Sequence, residues 1–237
     1  MHLHNELTIL LVSPTNADIV KALKNHNINV CFSDCIEDFI EYEKYHADMQ
    51  LLRIRDKYFV PQNACGIIKF LTKNDFDVKV CESLGRKYPR NVSLNAALVG
   101  DKLFCKESTL AKEVKEYCLQ NGISIVNVNQ GYAKCSTLII DDNAIITSDP
   151  SIYKAAIAEN VDVLLISQGN IVLDENNYGF IGGASGVIGE KVLFFGDLDM
   201  HPDRELIKEF IEKYNKQVIS LINGVKLCDI GGFVLIN

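Results

Sequence analysis

Four times along the chain an apolar run enters a tight polar turn and leaves into a second apolar run. The stretches are 46–60, 91–106 (NVSLNAALVGDKLFCK), 132–148 (YAKCSTLIIDDNAIITS) and 180–196 (FIGGASGVIGEKVLFFG). At each turn an acidic residue, Asp56, Asp101, Asp142 or Glu190, is followed by Lys57, Lys102, Asn143 or Lys191. Each stretch predicts a β-hairpin, because tight turns join antiparallel strands and parallel neighbours need long crossovers. Recurrence at roughly 40–50 residues marks an array of supersecondary units.

After each hairpin the apolar spacing becomes helical, and a further short apolar run follows. Unit one continues with a helix over Gln62–Asn74, carrying Ile67, Ile68 and Leu71 on one stripe, and a strand over Phe76–Cys81. In unit two Ser108 is the expected cap of a helix to Asn121, with Leu110, Val114, Tyr117 and Cys118 apolar and Gly122 as its stop; Ile123–Val128 is the strand. Unit three places Asp149 at the cap and Pro150 at the first helical position, with the helix ending near Asn160 and a strand over Val161–Ser167. Unit four opens its helix with Pro202 and Asp203, sets Leu206, Phe210 and Ile211 on the apolar side, and ends in the strand Gln217–Ile222.

The two ends supply a fifth unit. Cys228–Asn237 reads as a first strand lacking a second, and Leu7–Ser13 as a second strand lacking a first. The latter is followed by a helix over Ala17–Asn25, capped by Asn16, and a strand over Ile28–Phe32. Joining the ends removes two unpaired strand edges. The expected fold is thus α/β: one domain over 1–237, a closed five-module (ββαβ) propeller sealed by its terminal strands. The modules are 46–82, 91–129, 132–167, 180–222, and 228–237 with 7–33. The competing arrangement, a doubly wound parallel sheet, is disfavoured by the hairpins.

Composition narrows the function classes. The 237 residues are 48% hydrophobic, enough for a substantial core, and carry 24 basic against 31 acidic residues for a net charge of −7. No basic cluster stands out, which disfavours nucleic-acid partners. No apolar run approaches the ~20 residues needed to span a bilayer, and the N-terminus lacks a signal-peptide pattern. The eight cysteines include no Cys-x-x-Cys pair, and Cys31 and Cys35 have no partners at zinc spacing. Reduced thiols and a cytoplasmic setting are the expectation.

Three short motifs stand out: His46-Ala-Asp48, Gly131-Tyr-Ala-Lys-Cys135-Ser-Thr137 and Asp229-Ile-Gly-Gly232. With the five-unit pattern they resemble the pentein fold. That fold is shared by guanidino-group modifying enzymes (arginine and agmatine deiminases, dimethylarginine dimethylaminohydrolase, amidinotransferases) and by the non-catalytic translation initiation factor 6. The resemblance implies His46 as general acid/base, Cys135 as nucleophile, and Asp48 and Asp229 as carboxylates gripping a guanidinium. It implies neither metal nor cofactor, and a small-molecule ligand in the central channel. The chain is shorter than most of the enzymes. The order of these motifs corresponds to a circular permutation of theirs. Non-catalytic binding of the initiation-factor type is the alternative.

The residue types suit that chemistry. A guanidinium is a poor electrophile, so attack on its carbon needs a thiolate. Carboxylates fix the cation by bidentate hydrogen bonds, and a histidine protonates the leaving amine and then activates water. Gly131, Gly182 and Gly183 allow close backbone approach to a ligand. Plainer readings compete at each position: Cys135 as a small buried hydrophobe, His46 and Asp48 as solvated residues at a strand start, Asp229 as a turn residue. If both lay on strands, Asp48 and Cys135 would fall on opposite faces. The segment Asp197–Asp203 reads as helix capping rather than a metal loop, His2, His4 and His26 as solvated, and no aromatic cage is evident.

Overall fold

The computed structural model describes residues 9–173 and 178–237. In chain order its elements are β1 (Ile9–Val12), α1 (Ala17–Asn25), β2 (Asn29–Phe32), α2 (Ala47–Gln50), β3 (Leu52–Ile54), β4 (Lys57–Pro61), α3 (Cys65–Lys73) and β5 (Asp77–Cys81). There follow β6 (Ala97–Val99), β7 (Lys102–Cys105), α4 (Lys112–Gln120), β8 (Ser124–Asn127), β9 (Thr137–Asp141), β10 (Ala144–Thr147), α5 (Pro150–Ala158) and β11 (Asp162–Leu165). The last are β12 (Ser185–Ile188), β13 (Lys191–Phe194), α6 (Arg204–Lys213), β14 (Gln217–Ser220) and β15 (Phe233–Ile236).

The strands form five three-stranded sheets: β3-β4-β5, β6-β7-β8, β9-β10-β11, β12-β13-β14 and β15-β1-β2. In each, the first pair is antiparallel and the second parallel. A hairpin followed by a helical crossover requires that pattern. The terminal strands pair as expected, with Ile9 opposite Ile236 and Val12 opposite Phe233. Leu7 and Thr8 of the expected strand, and His2 and His4, lie outside the described residues.

Packing joins each unit to the next. Leu52, Ile54 and Phe59 of unit one meet Val114 and Cys118 of α4 in unit two. Ala97, Val99 and Phe104 of unit two meet Ile152 and Ala156 of α5 in unit three. Leu138 and Ile146 meet Ile207 and Ile211 of α6 in unit four; Leu193 and Phe195 meet Ile19 and Leu23 of α1 in unit five. The fifth seam sets Leu11 and Ile236 of unit five against Ile67 and Leu71 of α3 in unit one. Burial of these faces supplies the main driving force, about 25 cal/mol per Å² of apolar area.

Helix ends follow local chemistry. Asn16 Oδ1 accepts from Ile19 N, and Asp149 Oδ1 from Ser151 N and Ile152 N, so α1 and α5 begin where their caps place them. In unit two the cap differs from expectation: Glu107–Thr109 form a separate 3₁₀ turn, and α4 starts after Ala111 without a side-chain cap. The Thr109 hydroxyl is spent on Lys106 O, which favours the tight turn. In unit four Asp203 precedes α6, but its carboxylate accepts from Ser167 N. Leu206 is exposed, and Ile207 takes the core position expected of it. No helix among the described residues is long and apolar enough to cross a membrane.

Candidate functional site

The residues before each first strand converge. Gln50, Asn95, Cys135, Gly183 and Gly231 each stand two positions ahead of β3, β6, β9, β12 and β15. His46 and Asp48 were expected on a strand; they lie instead at the cap and in the single turn of α2, among residues with no β-branched side chain. Cys135 sits in a turn closed by Ser136 N to Tyr132 O (2.9 Å) and Thr137 N to Lys134 O (3.1 Å). Neither Asp48 nor Cys135 is in a strand, so the opposite-face conflict does not arise: period-two alternation does not hold in a turn.

The structure brings the predicted side chains together. Ligand atoms of His46, Asp48 and Cys135 all lie within 4.8 Å of one another, and all three residues are buried. Asp229 is the adjoining carboxylate; its Oδ2 accepts from Phe180 N and its Oδ1 from Gly231 N, both at 2.9 Å. Burial raises its pKa above the usual range; the nearby His46 opposes this and Asp48 adds to it. Asp48 is 1% exposed, and neither of its carboxylate oxygens has a hydrogen-bond partner. Burial pushes the Cys135 thiol well up, the Asp48 and Asp229 charges and the approach of the thiol to the Asp48 carboxylate reinforce the rise, and the Asn95 amide opposes it. The sulfur, imidazole and carboxylate donors also match a zinc ligand set.

The glycines make room for this machinery. A Cβ at Gly183 would collide with the Asp229 carboxylate, and one at Gly231 (φ +82°) with His46. At Gly182 the obstacle is the Lys134 and Thr137 carbonyls, and at Gly131 the Tyr88 ring. Each of these glycines therefore admits a group of the protein itself.

Sequence reasoning missed a second set of residues. Asn91 Nδ2 donates to Tyr132 Oη (2.8 Å) and Glu43 Oε2 (3.3 Å). Burial raises the Glu43 pKa, and His46 lowers it. Tyr132 stacks on Phe180 (6.2 Å between centroids), and Tyr178 meets Phe180 edge-on, an aromatic group where none was expected. Asn95 was also missed, and its place two residues before β6, matching Cys135 before β9, was the available signal.

Hydrogen bonds run from turn to turn. Asp48 N donates to Gly231 O (3.0 Å), Gly232 N to Gly183 O (2.7 Å) and Gly183 N to Cys135 O (3.0 Å). Lys134 N and Cys135 N donate to Asn95 Oδ1 at 2.8 and 3.3 Å. Asn95 Nδ2 then donates to Asp48 O at 3.1 Å, which returns the path to unit one. A separate cavity of about 520 Å³ is lined by residues of β3, β6, β9, β12 and β15. None of the four predicted side chains lines it; Lys134, beside Cys135 in sequence, does.

Five strand-strand-helix-strand units are the plan of the pentein fold, and solved structures bear the assignment out. The model of the family of unknown function DUF6873 matches residues 11–234, and the chain belongs to that family. DDAH from Pseudomonas aeruginosa complexed with citrulline is similar at 12% identity and a TM-score of 0.57, over 90% of this chain and 91% of that one. Agmatine deiminase from C. jejuni with substrate bound gives 12%, 0.53, 90% and 87%. The inosamine-phosphate amidinotransferase of Streptomyces griseus gives 10%, 0.53, 90% and 75%. No curated protein matches the sequence.

Proposed function

We propose that the buried cluster is the active site of a cysteine-dependent hydrolase or transferase acting on a guanidino- or amidine-type small molecule. The observation that carries this reading is Asp48: a carboxylate with both oxygens buried and unpartnered, beside a histidine and a thiol. Such a group costs roughly 1–3 kcal/mol unless a partner supplies hydrogen bonds, and a planar cation supplies two. The likeness to three guanidino-group enzymes supports it at the level of fold.

On this reading the amidinium sits between Asp48, Asp229 and the Cys135 sulfur. Its positive charge offsets the two carboxylates that hold the thiol protonated, so binding promotes transfer of the thiol proton to His46. The thiolate attacks the central carbon and a C–S bond forms. The C–N bond breaks and His46 gives its proton to the departing amine. Water then attacks the same carbon while His46 takes its proton; the C–S bond breaks, and His46 returns that proton to the departing sulfur to restore the thiol. An amine acceptor in place of water makes the same sequence a transfer.

The five seams, the returning hydrogen-bond path and a cavity walled by every first strand support one closed five-bladed propeller, with the ligand on its axis. Its units follow a circularly permuted enzyme order. The test is covalent capture. Chloroacetamidine should alkylate Cys135 faster than any other cysteine, and Cys135→Ser should lose the adduct, read by peptide mass spectrometry. A panel of guanidines is then screened for release of ammonia, amine or urea. Slow, unselective labelling together with no turnover would falsify the enzyme reading and favour a binding role of the initiation-factor type.

A further inference from the structure

Asn95 sits at the junction of the thiol and the general-acid turn, and every hydrogen-bonding position of its carboxamide is taken. Oδ1 accepts from Lys134 N and Cys135 N, while Nδ2 donates to Asp48 O and, at 3.0 Å, to Cys135 Sγ. This fixes the amide's orientation. Turning it over would set its NH₂ against two backbone N–H donors and its oxygen against a carbonyl. The side chain is buried, so the four bonds are made in a medium where they are strong.

We infer that Asn95 is the positioning residue for Cys135, holding the sulfur toward His46 and Asp48 and donating the hydrogen bond that a thiolate at this place needs. The inference rests on the reading that Cys135 reacts, and it concerns the sulfur rather than any substrate. A neutral thiol is a weak acceptor and a thiolate a strong one, so an N–H aimed at Sγ favours the ionised form. The Asp48 and Asp229 charges beside the sulfur act the other way. Among the other turns two positions before a first strand, units four and five have Gly183 and Gly231, which offer no side chain. Gln50 in unit one directs its amide to Asp34 and to Lys44 O. Asn95 is thus the residue of this set that can serve the thiol.

The experiment is the pH dependence of Cys135 alkylation by iodoacetamide, followed at the Cys135 peptide in wild type, Asn95→Ala and Asn95→Asp. The inflection should move up by at least one pH unit in both variants, a tenfold or greater slowing at pH 8, with Asp the slower because it adds a third carboxylate. A residue that only supports the fold predicts the opposite sign, since loosening a buried turn speeds alkylation. A folded variant with an unchanged or faster profile overturns the inference. If neither variant folds, the wild-type and Cys135→Ala proteins decide by NMR: the Asn95 side-chain amide protons should shift between them. Unmoved signals would mean that the amide does not bond the sulfur, and the inference is lost. Neither readout needs turnover, so a failure of the guanidino reading and a failure of this one are told apart.

Discussion

Cys105 and Cys135 are both buried thiols, one in the outer packing of unit two and the other at the inner turn of unit three. Burial pushes the Cys105 thiol up to about 12, and its surroundings are Leu103, Leu110, Val114 and Cys118. Cys135 carries the same cost of burial but faces a carboxylate pair, an imidazole and a donated amide. The outer position spends its neighbours on apolar contact. The inner one gathers polar groups that are unfavourable where they are, and that arrangement is worth keeping only if something uses it.

The largest expected break in this comparison is catalytic. His46→Ala should lower turnover of any guanidine accepted by the wild type, and the rate of amidine capture, by about 10²-fold or more. Cys105→Ala should leave both unchanged while lowering stability by roughly 1–2 kcal/mol, from the cavity it leaves. Steady-state rates and urea midpoints measured on the same preparations check the two halves together. Equal loss of activity in both variants would erase the distinction between inner and outer thiols.

Next in size is Gly183→Ala. The added methyl overlaps the Asp229 carboxylate and must displace it or the turn. We expect a loss of about 2 kcal/mol or more in a urea titration, with amidine labelling of Cys135 reduced. At Gly122, where a Cβ meets nothing within 4 Å, the same change should cost only the strain of its positive φ and leave labelling intact.

The smallest effects separate function from stability. Asp48→Asn removes a buried charge without partners and should raise stability by about 1 kcal/mol while removing amidine capture. Asp149→Ala strips the cap of α5 and should lower stability by about 1 kcal/mol with capture unchanged. A thermal melt and one labelling rate per variant check this: the stability changes should have opposite signs, and only Asp48→Asn should lose capture. Loss of stability in Asp48→Asn would mean that the carboxylate serves the fold after all.

What could be read in the sequence follows the same division. Outer elements obey short-range rules, so Asn16 and Asp149 located two helix starts and the turn acids located four hairpins. Where a 3₁₀ turn takes in the expected cap, as at Ser108, the start shifted. The inner turns answer to contacts across the chain. Asp48 N bonds to Gly231 and Asn95 to both Cys135 and Asp48, and no local spacing announces either. His46, Asp48, Cys135 and Asp229 were picked out by the resemblance of their motifs to those of the pentein enzymes, not by periodicity, which read strands where the inner turns stand. Asn95, with no acid-base chemistry of its own, offered only its position in the repeat.

The antiparallel partner of Ile9–Val12 is Phe233–Ile236, far along the same sequence. A growing chain therefore carries β1 well before β15 exists to pair with it, and the seam at Leu11 and Ile236 can form only once Ile236 has been made. Assembly of the buried cluster waits for the same step, since Asp229 and Gly231 lie just ahead of β15. Until then Cys135 has His46, Asp48 and Asn95 upstream of it but lacks the Asp229 carboxylate.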